Sequence, residues 1–413
     1  MNRRRWPLML ISVCALASGG AGRIAEAASR VEYHEGLPVV YLEGSPYELG
    51  HQHGALLRHA IGPSIRQLLH YFRAYLKVPL LDAALVNWWL GRAWRQSRPF
   101  VPADLLEELR GLADGSGVPL RELYLLHAIP DRTYACSGFA AWGKATRDGR
   151  LIHTRNLDWN IHAGIQRYAT VFVVHPTGKR AFVNVGWAGF IGVLTGINDA
   201  RLSIGQIGAE SADVSYRGLP MTFLMRRIME ESGSLDDAEA LIRQAPRTVG
   251  VNYLVADAAA RQAAAVETTH ARVAVFGADD PREHAVAYAR PIPDAVLRAD
   301  AAMDPQIRDL QFASHGDPRR PGLEPPGGSA YDIRYVKHAE AIRQHYGRID
   351  VNVAQQIAQS VAPNSNVQSV VFAWPLMRVA NAHDDTPAAR TRYHEFNLDD
   401  LLGGTSPAAP SRR

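Results

Sequence analysis

The chain is expected to fold as a layered α+β sandwich, and the order of its patterns carries that expectation. A long helical stretch runs from Leu56 to about Leu126, short strand-like runs with turn signals between them come next, and helices then alternate with further strand runs. A doubly wound parallel fold would instead alternate single strands with single helices. With 413 residues, 47% of them hydrophobic and 21% charged, the sequence has enough apolar material for a large core.

Residues 1–27 have the layout of an export signal. Arg3, Arg4 and Arg5 precede the apolar run Leu8 to Ala17, and Ala25-Glu26-Ala27 offers a small-residue cleavage site. The run is too short to span a bilayer, so a periplasmic or secreted protein is expected, with an uncleaved anchor as the alternative. The signal holds four Arg and one Glu, +3 of the formal +4, which leaves about +1 for the remainder. That balance carries no footprint of nucleic acid or of an anionic membrane. Removing the signal also removes Cys14, and Cys136 becomes the only thiol in an oxidising compartment. Such a thiol is either inert in the core or functional.

Residues 28–44 read as an extended lead-in. Ser45 then caps a helix, with Pro46 at its first position and Glu48 at capping-box spacing. Gly50 and Gly54, four apart, leave one face of that helix bare for close packing. His51 and His53 are two apart and diverge on a helix, which argues against a shared metal. Further on, Ile65, Leu68, Leu69 and Phe72 recur at helical spacing, then Trp88, Trp89, Leu90 and Trp94, then Leu105, Leu106, Leu109 and Leu112 after Pro102. Gly115 to Pro119 breaks the pattern.

At Cys136 the period changes from helix to strand. Phe139 to Ala145, Leu151 to Thr154, Tyr168 to His175, Ala181 to Val185 and Arg201 to Ile204 are strand-like, and Asp148-Gly149, Pro176-Thr177-Gly178 and Asn198-Asp199 turn between them as in antiparallel hairpins. Helices are expected over Leu219 to Glu231 and from Ser234 to about Arg243, with strands at Asn252 to Ala256 and Ala263 to Glu267. Residues 276–328 read as a long irregular connection, Ile333 to Tyr346 as a helix, Val370 to Trp374 as a late strand, and 404–413 as a disordered tail.

The chemistry gathers at Cys136, which opens a strand whose partner returns Arg155 and Asp158. A cysteine nucleophile needs a base, an orienting group and an oxyanion donor. His153, His175, His315 and His383 lie in no motif that selects one of them as the base. No G-x-S-x-G, phosphate-binding G-x-x-x-x-G-K-[ST] or dinucleotide G-x-G-x-x-G after a strand occurs. Cutting the Ala135–Cys136 bond would supply a base directly, because a free α-amine has a pKa of about 7.7–8.0 and would lie beside its own thiol.

Four stretches in order carry a resemblance: Ser45-Pro46-Tyr47-Glu48-Leu49-Gly50-His51-Gln52-His53-Gly54; Cys136 to Gly143 with Asp148-Gly149 and Arg155-Asn156-Leu157-Asp158-Trp159; Asn252 to Asp257; and Pro363-Asn364-Ser365-Asn366. Together they resemble the N-terminal-nucleophile hydrolases of the penicillin acyltransferase (peptidase C45) type, whose wider relatives are acid ceramidase and the choloylglycine hydrolases. The resemblance spans roughly residues 36 to 402. It implies a four-layer αββα sandwich with two stacked antiparallel sheets, a precursor cut before the cysteine, and hydrolysis or acyl transfer on N-acylated small molecules without cofactor or metal.

Carried over to this sequence, it makes residues 28–135 a mainly helical α chain and 136–403 the catalytic β chain of an αβ heterodimer. Cys136 becomes the nucleophile, Asp158 the carboxylate that positions the new α-amine, Arg155 the neighbouring cation, Asn252 the side-chain oxyanion donor and Arg334 a further active-site arginine. Ala135 stands where some relatives have glycine, and Ser137 is followed by Gly138 where a second hydroxyl is common. Two other readings stay open: an uncleaved, non-catalytic periplasmic binding protein on the same scaffold, and an esterase or phospholipase B-like enzyme with the same nucleophile. Trp88, Trp89, Trp142, Trp159 and Trp187 are candidates for an apolar acyl pocket, and core packing explains them equally well.

Overall fold

A computed structural model describes residues 29–75, 82–131, 135–314 and 330–403. The export signal, Cys14, His315, the later part of the 276–328 connection and the tail at 404–413 lie outside the described residues.

The elements run β1 (Arg30–His34), β2 (Leu37–Gly44), α1 (Pro46–Leu56), α2 (Arg58–Tyr75), α3 (Asp82–Ser97), α4 (Ala103–Ser116), α5 (Leu120–His127), β3 (Ala135–Gly143), β4 (Gly149–Asp158), β5 (Ala169–Pro176), β6 (Phe182–Trp187), β7 (Thr195–Asn198) and β8 (Leu202–Gly208). They continue with α6 (Met221–Glu231), α7 (Leu235–Gln244), β9 (Val251–Asp257), β10 (Gln262–Thr268), β11 (Val273–Phe276), β12 (Ala295–Arg298), α8 (Pro305–Ser314), α9 (Ala330–Gln344), α10 (Val351–Val361), β13 (Asn366–Ala373), β14 (Leu376–Asn381), β15 (His394–Asn397) and α11 (Leu398–Gly403).

These form two stacked sheets between helical layers, the αββα arrangement. The larger sheet has the order β1-β2-β5-β6-β7-β8-β9-β10-β11 and the smaller β12-β3-β4-β13-β14-β15. Strands β3, β4 and β12 lie over β8, β9 and β10, while α1, α6 and α7 cover the larger sheet and α9 and α10 the smaller. Every neighbouring pair is antiparallel except β2 and β5, which run parallel. No helix among the described residues is long and apolar enough to cross a membrane.

The extended lead-in at 28–44 is in fact a hairpin turned by Glu35 and Gly36, both at positive φ. Its second strand enters the larger sheet beside β5. The stretch before Cys136 is therefore part of the sheet as well as a helical block.

The capping box at Ser45 is present: Glu48 N–H donates to Ser45 Oγ, and the Glu48 carboxylate accepts from the Ser45 N–H. The bare face of α1 meets a bare face of α4. A Cβ at Gly50 would fall 1.9 Å from Glu108 O, and one at Gly111 would fall 2.0 Å from Tyr47 O. Gly54 and Gly115 interlock in the same way. Backbone stands on the far side of each contact, so a side chain has nowhere to go. Gly111→Ala is expected to lower stability by about 1–3 kcal/mol, read as a lower urea midpoint; an unchanged midpoint would show that the helices can separate without cost.

The connection at 276–328 is more regular than its composition implies. It contains β12 and α8, and β12 pairs with β3 from Ala295↔Ala141 to Arg298↔Gly138. Four residues show no periodicity, so this strand exists through its partner rather than through local pattern.

Candidate functional site

Strand pairing sets the site. In the β3–β4 hairpin Cys136 lies opposite Leu157 and Ala135 opposite Asp158, and on the other side of β4 Asn366 lies opposite Asp158. The turn at Asp148-Gly149, with Gly149 at positive φ, therefore sets which β4 residues reach the cysteine.

The thiol is fully buried between the sheets. It donates to Gln206 Oε1 at 3.4 Å and accepts from Arg155 Nη2 at 3.3 Å. Arg155, also fully buried, spends its other donors on Thr195 Oγ1 (2.8 Å), the Gln206 carbonyl (3.1 Å) and Gln206 Oε1 (3.1 Å). Gly205 makes room for it, since a Cβ there would sit 2.7 Å from Arg155 Cγ. A guanidinium has only donors, so its bond to Oε1 fixes which way the Gln206 amide faces. The Nε2 of Gln206 is left buried and without a partner among the described residues.

The nitrogen of Cys136 has a partner that the sequence did not single out. Its N–H donates to Asp300 Oδ1 at 2.7 Å, just past the end of β12. Arg334, on α9, bonds Asp158 with one nitrogen and Asp300 with another, so the two carboxylates share one guanidinium. Asn366 Nδ2 donates to the remaining Asp158 oxygen at 2.8 Å.

Four of the five candidate residues, Cys136, Arg155, Asp158 and Arg334, thus converge with Asp300 and Gln206. Asn252 is placed differently. Its Nδ2 donates to the carbonyls of Ala299 (3.3 Å) and Ala301 (3.4 Å), and its unpartnered atom is Oδ1, an acceptor. An oxyanion needs a donor, so in this arrangement Asn252 supports the segment that carries Asp300.

Burial dominates the electrostatics. It pushes the Cys136 thiol up to about 11, against the pull of Arg155, with Asp158 and Asp300 adding to the rise. Burial lifts Asp158 to about 6 and Asp300 to about 7, with Arg334 opposing both shifts. Among the described residues no histidine bonds the thiol: His153 is buried, kept neutral by desolvation, and bonded through Nδ1 to Ser203 Oγ at 2.8 Å.

A narrow cleft opens over Cys136, walled by Leu68, Ile129, Leu157, Trp159, Trp187 and Phe190 among others. Trp159 and Asp158 also border a second, more polar cleft that includes His162, Glu210, Asp385 and Arg390. Of the tryptophan candidates, Trp159 and Trp187 reach the apolar cleft, whereas Trp88 is exposed and Trp89 and Trp142 pack elsewhere. The wall at 187–191 is held from the N-terminal part, where His53 Nε2 accepts from Gly189 N–H at 2.9 Å and His127 Nε2 from Ile191 N–H at 3.0 Å. Metal ligation is not needed to explain His53. Among the described residues no group of three or more His, Cys, Asp or Glu is arranged to hold a metal ion.

Residues 145–287 match the family model described as acyl-coenzyme A:6-aminopenicillanic acid acyl-transferase. That span includes Arg155, Asp158, Gln206 and Asn252 and leaves out Cys136, Asp300 and Arg334. The chain is similar to protein dcd1B of Dictyostelium discoideum, 26% identical over 309 residues that cover 70% of this chain and 60% of that protein. Protein dcd1A of the same organism is 29% identical over 273 residues, 59% of this chain and 61% of that protein. Acid ceramidase of Rattus norvegicus is 24% identical over 181 residues, 38% of this chain and 45% of that protein. The matches thus span about three fifths or less of the length of these relatives.

Proposed function

We propose that this chain is an N-terminal-nucleophile hydrolase related to acid ceramidase, and that it acts as an exported, self-processed cysteine amidohydrolase or acyltransferase. Its substrates are N-acylated small molecules. The observation that carries this reading is the buried thiol of Cys136, bonded by Arg155 and opening onto an apolar cleft, with its own nitrogen held by a carboxylate.

In the first stage the Ala135–Cys136 bond is cut, leaving 28–135 and 136–403 as two chains of one molecule. The cut does not free the first chain, because β2 remains bonded to β5 and Glu108 to Arg226. In the second stage the α-amine of Cys136 takes the thiol proton as sulfur adds to the acyl carbonyl. Arg155 favours the thiolate, and the Nε2 of Gln206 with backbone N–H groups receives the oxyanion. The amine then returns the proton to the leaving nitrogen, and water or a second amine releases the acyl group from Cys136. Asp158 and Arg334 hold the charge balance around the amine, and Asn252 braces the segment facing it.

The acyl chain lies in the apolar cleft and the leaving group in the polar one, the two meeting at Asp158 and Trp159. The test is a panel of N-acyl amides of graded acyl length, with mass spectrometry of the Cys136 peptide. The reading expects turnover and an acyl adduct on Cys136. No turnover of any amide together with no adduct would favour the binding-protein alternative, and an adduct formed only from esters would favour the esterase.

A further inference from the structure

Asp300 lies on a segment fastened from three sides. Glu267 accepts from Arg298 Nε, Met303 N–H and Asp304 N–H at 2.7–2.9 Å. Asn252 donates to the carbonyls on either side of Asp300, and Gln311 donates to the Asp300 carbonyl (3.0 Å) while accepting from Ala302 N–H (2.8 Å). A buried carboxylate costs free energy unless its partners are in place. Here three fully or nearly buried polar side chains hold the segment so that one Asp300 oxygen meets the nitrogen of Cys136 and the other meets Arg334.

The geometry points to Asp300 as the residue that carries the Cys136 nitrogen through both stages of the chemistry, first as peptide N–H and then as α-amine, with Asp158 acting on it only through the shared Arg334. This rests on the reading of Cys136 as a self-released N-terminal nucleophile. In the cut, the Sγ–C bond to Ala135 forms, the C–N bond breaks, and the thiol proton ends on the nitrogen, giving a thioester and a primary amine. Water then adds to the thioester carbon and expels sulfur, leaving the Ala135 carboxyl group and a restored thiol. Once sulfur has added, the nitrogen lone pair is freed from amide resonance and takes the thiol proton. By accepting the N–H, Asp300 fixes the orientation of that nitrogen and keeps the amine there for the second stage. Its negative charge favours the protonated amine.

The charged groups around the thiol are Arg155, Asp158 and Asp300, and those around the Asp300 carboxylate are Arg334, Asp158 and Glu210. Among these Asp300 alone bonds the nitrogen directly.

The experiment uses the full chain, as parent, Asp300→Asn, Asp300→Ser and Cys136→Ala, with melting temperatures to verify folding. Cutting after cell-free synthesis is followed by intact mass, and alkylation of the cut material is followed against pH. Both Asp300 variants are expected to cut about 100-fold more slowly or worse. The acid limb of alkylation should move to lower pH by about one unit, because loss of the carboxylate lowers the amine pKa. Asp300 is only structural if either folded variant cuts at the parental rate with an unmoved limb. Failure of the underlying reading would look different: the parent would never be cut before Cys136, or Cys136→Ala would be cut.

Discussion

Cys136→Ala is expected to leave the Ala135–Cys136 bond intact and to drop amide turnover by about 10⁴-fold or more, since it removes the nucleophile of both stages. The fold should survive, because the thiol is a small buried group whose loss vacates little volume. In the uncut chain burial holds the thiol near 11, so at neutral pH it is protonated and slow to alkylate. Cutting places an amine beside it, and alkylation of the cut parent should be correspondingly faster. Residual turnover within tenfold of the parent would remove Cys136 from the mechanism.

Arg226→Met is expected to cost about 3–5 kcal/mol of folding stability. Arg226 is buried, bonds Glu108 through two nitrogens (2.9 and 3.2 Å) and Glu230 at 2.6 Å, and lies over the Phe182 ring. Lys179 ties Glu230 to Asp104 on the far side. Removing the guanidinium strands the buried Glu108 and leaves Glu230 to Lys179 alone, whereas removing it together with both acids would cost much less. Burial already raises Glu108 to about 7 despite Arg226.

A carboxyl group whose folded pKa lies above its unfolded value binds more protons when folded, so its contribution to stability falls as pH rises. The deficit of Arg226→Met should therefore grow above about pH 7, where Glu108 ionises in the parent but not in the variant, as read from urea midpoints. A deficit under 1 kcal/mol that is flat with pH would contradict this. Glu108 and Asp104 belong to 28–135 and Arg226, Glu230 and Lys179 to 136–403, so the cluster also fastens the two proposed chains to each other.

Legibility followed range along the chain. Cys136, Arg155 and Asp158 share one hairpin, so a turn signal was enough to place them on paired strands, although the strand period puts Arg155 and Asp158 on opposite faces. The capping box at Ser45 and the close approach at Gly50 and Gly54 were legible for the same reason, being local to one helix. Arg334 came from the resemblance, and its bridging of two carboxylates could not be read from spacing. Asp300 was missed because β12 is a four-residue strand inside a stretch rich in Pro, Gly and Asp, and only pairing with β3 gives it a position. Gln206 sits in a strand whose later half carries no clear alternation. Asn252 is sound as a polar residue at a buried strand position, but nothing in the sequence says which way its amide is turned, and that orientation decides between donor to an oxyanion and brace for a neighbouring loop. The hairpin of β1 and β2 escaped notice because its turn is only Glu35-Gly36, and the parallel pairing of β2 with the distant β5 leaves no local signal.

Intact mass of the purified full-length chain tests the central claim most directly. The account predicts two co-purifying fragments, the second beginning at Cys136. A single species with the Ala135–Cys136 bond whole and full amide-hydrolysing activity would contradict it.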